Sequence, residues 1–249
     1  MGERFLKIIF DNAIKCNVDE IYVTMFKNKR QEVSNLKSLM EKWGFVEKGT
    51  KKNGEIYLVK DMKNYDKTKC PKFNYPLIKD NSSISFLPIV MKYHTKLFPD
   101  LHLKNENATF FDTACSYAIE KIYVTAWKNI GLEPGSLLCV YCMAEGYKRY
   151  RSTITGVCIL NEVIQTTSPS ELVEICKNRS VFTEEELREL YINRKFTTVV
   201  KVLYLKPFDC RVNYDSLDSN NLLGTMNAPR LGSKLTYEEY LKLIRLGEE

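Results

Sequence analysis

Apolar residues near the start of the chain recur with the spacing of a helix and then of a strand. Five apolar positions in residues 2–16 follow the three-four spacing of one helical face: Phe5, Ile8, Ile9, Ala13 and Cys16. This face needs a sheet to pack against. Residues 20–26, EIYVTMF, are rich in β-branched and aromatic side chains, and they predict a strand buried on both sides.

The next forty residues predict a second helix and a hairpin. The apolar positions of residues 31–43 lie on one side of a helix, and Gly44 is placed to end it. Two strand-like segments then flank Asn53-Gly54, a dipeptide that favours a tight hairpin turn because it adopts positive φ readily. The predicted order is helix, strand, helix, hairpin.

This order resembles the C-terminal half of the GNAT acetyltransferase family. The resemblance is carried by the segments GERFLKIIFDNAIK, EIYVTMF and LKSLMEKWGFVEKGTKKNGEIYLVK. In that family a glycine-rich turn and the start of the first helix hold the pyrophosphate of acetyl-CoA, through unpaired backbone N–H groups. The resemblance therefore implies acetyl-CoA contacts at Gly2, Glu3 and Arg4, with Gly2 matching the last small residue of the turn.

The chain also departs from the family. The strands and most of the turn that precede this helix in the family are absent, so residues 1–62 are expected to form half of a GNAT-like α/β layer. Met40 stands where many members carry a tyrosine that protonates the leaving thiolate, and methionine has no proton to give. No catalytic residue is assigned. The incomplete sheet predicts an exposed edge at residues 20–26 that can pair with another chain or with the linker.

Residues 63–83 predict a linker, since they carry lysines, asparagines and prolines without a sustained period. The following segment, ISFLPIVMKYHTKLFPDL, is apolar enough to pack on the next domain. Within it, His94 is expected to be a hydrogen-bonded structural histidine rather than a catalytic one. His102 is interpreted in the same way, with an exposed loop as its alternative.

Residues 84–249 alternate short strands with helices, which indicates the α+β class. Strands are predicted in GSLLCVYCMAE, YKRYRSTITGVCILNEVI and FTTVVKVLYLKPF. Helices are predicted in SPSELVEICKNR, TEEELRELYIN and LTYEEYLKLIRLG, and the last two begin with capping-box pairs, Thr183 with Glu186 and Thr236 with Glu239. We expect a small β-barrel with helices at its ends.

Several segments of this second domain resemble the PUA-like superfamily, in particular its ASCH and EVE-type branches. They are LPIVMKYHTKLFPD, YAIEKIYVTAWKNIGLEPGSLLCVY, KNRSVFTEEEL and APRLGSKLTYEEYLKLI. Two features depart from the pattern: PGS at 134–136 replaces the usual Pro-Gly-Asp, and the ASCH signature of Gly, Lys, Glu and Arg is not visible. The resemblance implies recognition of RNA or of a modified base, in which aromatic rings stack on an exposed base and cations contact phosphate.

The segment GYKRYRS interleaves cations with tyrosines and offers candidates for this role. Together with cations and aromatics elsewhere, the candidate nucleic-acid-binding residues are Trp127, Lys148, Arg149, Tyr150, Arg151 and Arg179. The alternative is a solvated hairpin edge, where the same residue types keep neighbouring sheets apart.

The composition limits the classes of protein that the chain can belong to, but it does not identify the function. The 249 residues carry a net charge of +6 with a pI near 8.7, which permits a polyanionic partner. No apolar stretch reaches the roughly 18 to 20 residues of a membrane span, so no membrane partner and a cytoplasmic location are expected. The eight cysteines are interpreted as free, buried thiols. Cys139 and Cys142 form one CxxC, but on a strand they point to opposite faces, so no metal site is expected.

Two functions from different classes remain open at this point. The first is an RNA-binding or modified-nucleotide-binding PUA-like protein that carries a truncated, inactive GNAT segment and has no certain cofactor. The second is an N-acetyltransferase that uses acetyl-CoA and is completed by upstream sequence or by a partner chain. Proton transfer in acetyl transfer needs a positioned acid and base, which residues 1–62 do not supply.

Overall fold

The computed structural model describes residues 2–26, 31–101, 117–177 and 179–248. These residues divide into two compact units, 1–80 and 81–249. The interpretations of His102 and Cys115 lie outside the described residues. Among the helices that are described, none is both long and apolar enough to cross a bilayer.

The first unit has the predicted order of helix, strand, helix and hairpin, followed by one further helical turn. Its elements are α1 (Gly2–Lys15), β1 (Glu20–Phe26), α2 (Gln31–Lys42), β2 (Val46–Thr50), β3 (Glu55–Asp61) and α3 (Pro71–Asn74). The three strands form an antiparallel sheet in the order β1-β3-β2.

Aromatic rings form the centre of the first unit. The ring of Phe10 in α1 lies 6.1 Å from that of Trp43 and 5.3 Å from that of Tyr75, and the Trp43 and Tyr75 rings are 5.4 Å apart. All three side chains are fully buried. Such tilted and edge-on ring contacts add to the burial of large apolar area, so this cluster fixes α1 and the segment around Tyr75 against the sheet.

The prediction that β1 is buried on both sides is wrong, because none of its residues is buried. The strand pairs with β3 on one side only among the described residues. Of the helical face predicted to pack on the sheet, Phe5 and Ile8 are more than half exposed, while the buried face of α1 is Leu6, Phe10 and Ala13. The exposed edge expected at residues 20–26 is therefore present in the described part of the chain.

Most of the segment interpreted as a linker lies within the first unit and folds around Asn74. The buried Asn74 side chain donates hydrogen bonds to the backbone oxygens of Asp66 (2.9 Å) and Cys70 (3.2 Å), and its Oδ1 accepts one from the Asp66 N–H (2.8 Å). One amide side chain thus ties together several backbone groups of this segment.

The second unit contains the remaining six strands and six helices of the described residues. They are β4 (Ile84–Val90), α4 (Met91–Leu97), β5 (Glu120–Thr125), β6 (Leu137–Met143), α5 (Lys148–Arg151), β7 (Thr153–Gln165), α6 (Pro169–Cys176), α7 (Glu184–Arg194), β8 (Thr198–Asn213), α8 (Tyr214–Ser219), β9 (Lys234–Leu235) and α9 (Tyr237–Glu248). A short 3-10 turn, Pro99–Leu101, follows α4.

One curled sheet carries this unit, with the order β5-β8-β7-β6-β4-β9. Strands β4 and β6 are parallel, and the other neighbours are antiparallel. The ladder between β7 and β8 shifts register at three places. Each such bulge bends its strand and increases its twist, so the two longest strands curl the sheet into a half-barrel. The α+β class predicted for this part of the chain is confirmed.

Two apolar clusters pack against this sheet, one on each face of β8, because Val200 belongs to the first and Val199 to the second. The first packs Phe98 and Leu101 against β7 and β8, and the second packs α6 and α7 against β5 and Val199 of β8. The predicted capping boxes are confirmed. The Thr183 hydroxyl accepts from the Glu186 N–H at 3.2 Å while the Glu186 carboxylate accepts from the Thr183 N–H at 3.0 Å, and α9 begins in the same way at Thr236.

Candidate nucleic-acid interface

Residues 147–151, here called the basic turn, form one helical turn between β6 and β7, where a strand was predicted. The N–H of Arg151 donates to the Tyr147 carbonyl at 3.3 Å. Buried Ser152 closes the turn, because its hydroxyl accepts from the Ala144 N–H (3.0 Å) and its carbonyl accepts from the Tyr214 N–H (2.9 Å). The turn is therefore anchored at its end while its side chains face outward.

The two tyrosines of the basic turn are large aromatic side chains that lie exposed to water. Tyr147 is 85% exposed and Tyr150 is 65% exposed. Neither ring packs into the core, and no side chain of α5 is buried. Exposed aromatic faces beside cations provide surfaces on which unstacked bases can stack.

The three cations of the turn differ in their partners. Arg149 donates from Nε to Oδ1 of Asp215, and its Nη2 lies 3.9 Å from Oδ2 of Asp218. The hydrogen bond that Arg149 donates to Asp215 and the negative charge of that carboxylate raise the pKa of Arg149 above its ordinary value. Lys148 and Arg151 are exposed and form no ion pair with a carboxylate in the part of the chain that the structure describes. Two cations are thus available for phosphate, and the third is held by α8.

Trp127 lies near the end of β7 that is opposite to the basic turn. It follows β5 in a loop, is 49% exposed, and its neighbour Lys128 accepts a hydrogen bond through its carbonyl from the Gln165 side chain at 2.7 Å. Gln165 is the last residue of β7, whereas the basic turn immediately precedes the first residue of that strand. At about 3.3 Å per residue, the strand separates the two places by about 40 Å of chain path.

Arg179 occupies a third place, after α6. Its N–H donates to the Cys176 carbonyl at 3.1 Å and its carbonyl accepts from Ile122 of β5 at 3.2 Å. Of the six residues predicted from sequence, the fold brings together Lys148, Arg149, Tyr150 and Arg151, and it places Trp127 and Arg179 elsewhere on the second unit.

Sequence reasoning missed Asp215 and Asp218, the carboxylates that flank the basic turn. The sequence does place Asp215 and Asp218 three positions apart, and residues at that spacing share one face of a helix. The sequence does not show that this helix lies beside residue 149. The helices α5 and α8 meet only because β7 and β8 pair along their length.

The residues implied in acetyl-CoA binding, Gly2, Glu3 and Arg4, begin α1 as predicted. A Cβ at Gly2 would lie 2.5 Å from Cδ2 of Leu39 in α2, so the glycine here also allows close contact between two helices. Met40 is buried in the core. Acetyl-CoA binding by these residues stays a prediction.

His94 is the buried, hydrogen-bonded histidine that was predicted. Its Nε2 lies 2.9 Å from the Thr155 hydroxyl. Burial and, to a smaller extent, the positive charge of Arg211 lower the pKa of His94 to about 3. The ring is therefore neutral at physiological pH and packs against Phe98 at 5.7 Å.

The described cysteines are free, but only some are buried as predicted. Cys139, Cys142, Cys158 and Cys176 are buried, and Cys16, Cys70 and Cys210 are exposed. Burial raises the pKa of Cys139 to about 12, which removes its thiolate at neutral pH. No group of three or more histidine, cysteine, aspartate or glutamate side chains that could hold a metal ion occurs within the described ranges.

No family model and no curated protein matches the chain. Among solved structures, the ASCH protein from Zymomonas mobilis is similar over 68% of this chain and 96% of its own, with 12% identity and a TM-score of 0.42. A serine-to-alanine variant of that protein is similar over 68% of this chain and 99% of its own, with 12% identity and a TM-score of 0.43.

Proposed function

We propose that the second unit is a PUA-like module that binds single-stranded RNA or a modified nucleotide through the basic turn. The single observation that carries the proposal is the pairing of two exposed tyrosines with two exposed cations, Lys148 and Arg151, on one anchored turn. The finer assignment to the ASCH and EVE-type branches is supported by the segments that resemble them, and the half-barrel sheet is compatible with it.

The chemistry of the turn suits a single strand better than a duplex. A base can stack on a tyrosine ring only where its face is exposed, as in loops, ends and flipped nucleotides. Stacking contributes about 1 to 3 kcal/mol per base and depends little on sequence. The neighbouring cations add phosphate contacts, which release counterions and make the affinity fall with salt.

The number of phosphate contacts can be measured from this salt dependence. With Lys148 and Arg151 engaged, log K should fall against log salt with a slope of about 1.4, and full engagement of Arg149 would raise it to about 2.1. We expect fluorescence-anisotropy titration of the full chain with short labelled oligonucleotides, with and without modified bases, to give the lower slope.

A matched pair of variants tests the location. Lys148→Ala with Arg151→Ala should abolish most of the slope, whereas Arg194→Ala with Lys234→Ala removes the same charge from exposed positions elsewhere on the unit. Equal loss in the two double variants would mean that net charge, not the basic turn, attracts the nucleic acid. Absence of binding at 50 mM salt would overturn the proposal.

A second candidate function, acetyl transfer by a completed GNAT domain, is favoured by one observation in the first unit. The edge of β1 has no strand beside it among the described residues, and the apolar side chains Phe5 and Ile8 of α1 are exposed nearby in sequence. An added strand would pair with that edge and cover part of the helix.

Calorimetry with acetyl-CoA separates the two functions. The 249-residue chain should bind no tighter than the millimolar range, because a helix start without its turn offers few N–H groups to the pyrophosphate. A chain extended by the residues encoded in frame upstream of Met1 should bind in the micromolar range if the second candidate is correct. Equal, weak binding by both chains would exclude it.

A further inference from the structure

Lys60 is a buried amine in the first unit that neither proposed function uses. In β3 it shares the inner face of the strand with Ile56 and Leu58, and its residue is only 2% exposed. Nζ donates a hydrogen bond to the backbone carbonyl of Phe73 and lies 5.6 Å from the centre of that ring. Lys60 forms no ion pair with the carboxylates of the described residues.

This environment changes the protonation of the amine. Burial lowers the pKa of Lys60 from 10.5 to about 8, and the negative charge of Asp61 offsets part of that effect. At pH 7 about a tenth of a group with such a pKa is unprotonated, against roughly 0.04% for an ordinary lysine. Only the unprotonated form has the lone pair that attacks an electrophile.

Lys60 belongs to the wall of an open pocket of about 280 Å³. Lys60, Gly44, Phe73 and Tyr65 are among the residues that line it. Gly44 has φ of +84°, and a Cβ there would lie 2.6 Å from Nζ of Lys60 and 2.1 Å from the Phe73 carbonyl. Only glycine fits this position, because Nζ of Lys60 and the Phe73 carbonyl pack directly against its Cα, and all three residues belong to the pocket wall.

We infer that Lys60 is a nucleophilic amine that forms an imine with a small aldehyde held in this pocket. The Nζ lone pair attacks the carbonyl carbon, and a proton moves from nitrogen to oxygen to give a carbinolamine. The hydroxyl group then leaves as water, and the C–N single bond becomes a C=N double bond. The reaction consumes one aldehyde, releases one water and needs no oxidant or reductant.

The pocket selects among carbonyl compounds by size and charge. Its volume lies below the 300 to 1,000 Å³ of sites for drug-sized ligands, so the ligand must be small. The lining side chains include the carboxylates Glu20, Asp61 and Asp66 against one further cation, Lys48. Like charge disfavours an anionic ligand, so a neutral aldehyde should react in preference to a 2-oxo acid.

Reductive trapping tests the inference on the full chain. The protein is treated briefly at pH 7 with propanal and sodium cyanoborohydride, which reduces an imine to a stable propyl-amine, and the modified lysines are located by peptide mass spectrometry. Lys60 should be labelled at least about 10-fold faster than Lys48, an exposed lysine that lines the same pocket. Its labelling rate should level off above pH 8, and pyruvate should label it at least about 10-fold more slowly than propanal.

Two controls keep the result interpretable. Lys60→Arg retains a donor for the Phe73 carbonyl but forms no imine, so the fast labelling should disappear while the circular dichroism spectrum stays unchanged. Peptide mapping also separates Lys60 from the chain's α-amino group, which is another amine that can form an imine. Labelling of Lys60 no faster than Lys48 in the folded chain would overturn the inference and leave Lys60 as a tether for the Phe73 segment.

Discussion

Arg149 on the basic turn donates from its Nε to Oδ1 of Asp215, the second residue of α8. The contact joins two elements that are 66 positions apart in the chain. It compensates the charge of the guanidinium, so one of the four cations predicted to meet phosphate already has a carboxylate partner.

Removing that carboxylate should strengthen nucleic-acid binding. We expect Asp215→Asn with Asp218→Asn to raise the log-log salt slope of binding by about 0.7, because one further cation becomes available to phosphate. Arg149→Ala should correspondingly weaken binding less than Arg151→Ala. Anisotropy titrations at two salt concentrations measure both effects, and an unchanged slope in the Asn variant would show that Arg149 does not reach the strand.

The exposed tyrosines should contribute through stacking rather than charge. Tyr150→Ala is expected to cost about 1 to 3 kcal/mol of binding free energy with the salt slope unchanged, and Tyr150→Phe should retain most of the affinity. The control is Tyr237→Ala on α9, where a tyrosine is 67% exposed. If Tyr237→Ala weakens binding as much as Tyr150→Ala, the basic turn is not the stacking surface.

His94 should make the second unit sensitive to acid. Its pKa is about 3 in the folded chain and ordinarily 6.5, so below pH 6.5 the unfolded chain binds a proton that the folded chain refuses. The contribution of His94 to the free energy of unfolding is fully present above pH 6.5. It falls by about 1.4 kcal/mol per pH unit as the pH is lowered towards 3. Urea unfolding from pH 4.5 to 7 should show this excess slope in the wild type over His94→Gln. Parallel curves would contradict it.

Lys60 should have a matching effect in the alkaline range. Because its pKa is about 8 when folded and 10.5 ordinarily, the unfolded chain holds a proton between these values that the folded chain has lost. The free energy of unfolding should therefore rise with pH from 8 to 10.5, by about 1.4 kcal/mol per unit relative to Lys60→Met. The difference between the two chains in urea unfolding isolates this group from other titrating side chains.

The edge of β1 should support association with another chain. Tyr22 on this strand is 70% exposed, and edge strands pair readily unless a charge or a proline prevents it. We expect sedimentation velocity at rising protein concentration to show self-association that Tyr22→Lys reduces. Tyr237→Lys, at an exposed tyrosine of α9, is the control. A chain that stays monomeric at all concentrations would count against pairing through this edge.

Patterns within short segments predicted the helices, strands and turns well, whereas pairing between distant segments determined which strands are exposed. Helical spacing and the Asn53-Gly54 turn identified the elements of the first unit, and the capping boxes at Thr183 and Thr236 identified two helix starts, because these signals lie within a few neighbouring residues. The same reasoning chose the wrong exposure for β1. Whether a strand lies at the edge of a sheet depends on which other strands pair with it. The sequence of residues 20–26 does not contain that information.

In the candidate sites, too, the residue types could be predicted from short sequence patterns, whereas the neighbours of each residue depended on strand pairing. Sequence pattern selected residues 148–151 by their residue types, but it could not place Trp127 at the opposite end of β7 or Asp215 beside Arg149, since both follow from the pairing of long strands. Lys60 could have been found. In EIYLVKD the alternation puts Lys60 on the same face as Ile56 and Leu58, and a lysine on an apolar face of a strand is unusual.

The position of β4 in its sheet has a consequence for synthesis of the chain. This strand lies between β6 and β9, and the Ser85 hydroxyl accepts a hydrogen bond from the Gly232 N–H, 147 positions later. At about 5 to 20 residues per second, roughly 7 to 30 seconds separate the translation of these two residues. The first strand of the half-barrel to leave the ribosome therefore pairs with β9 only after the intervening residues have been made, and a chain that stops before Lys234 leaves β4 as an open edge.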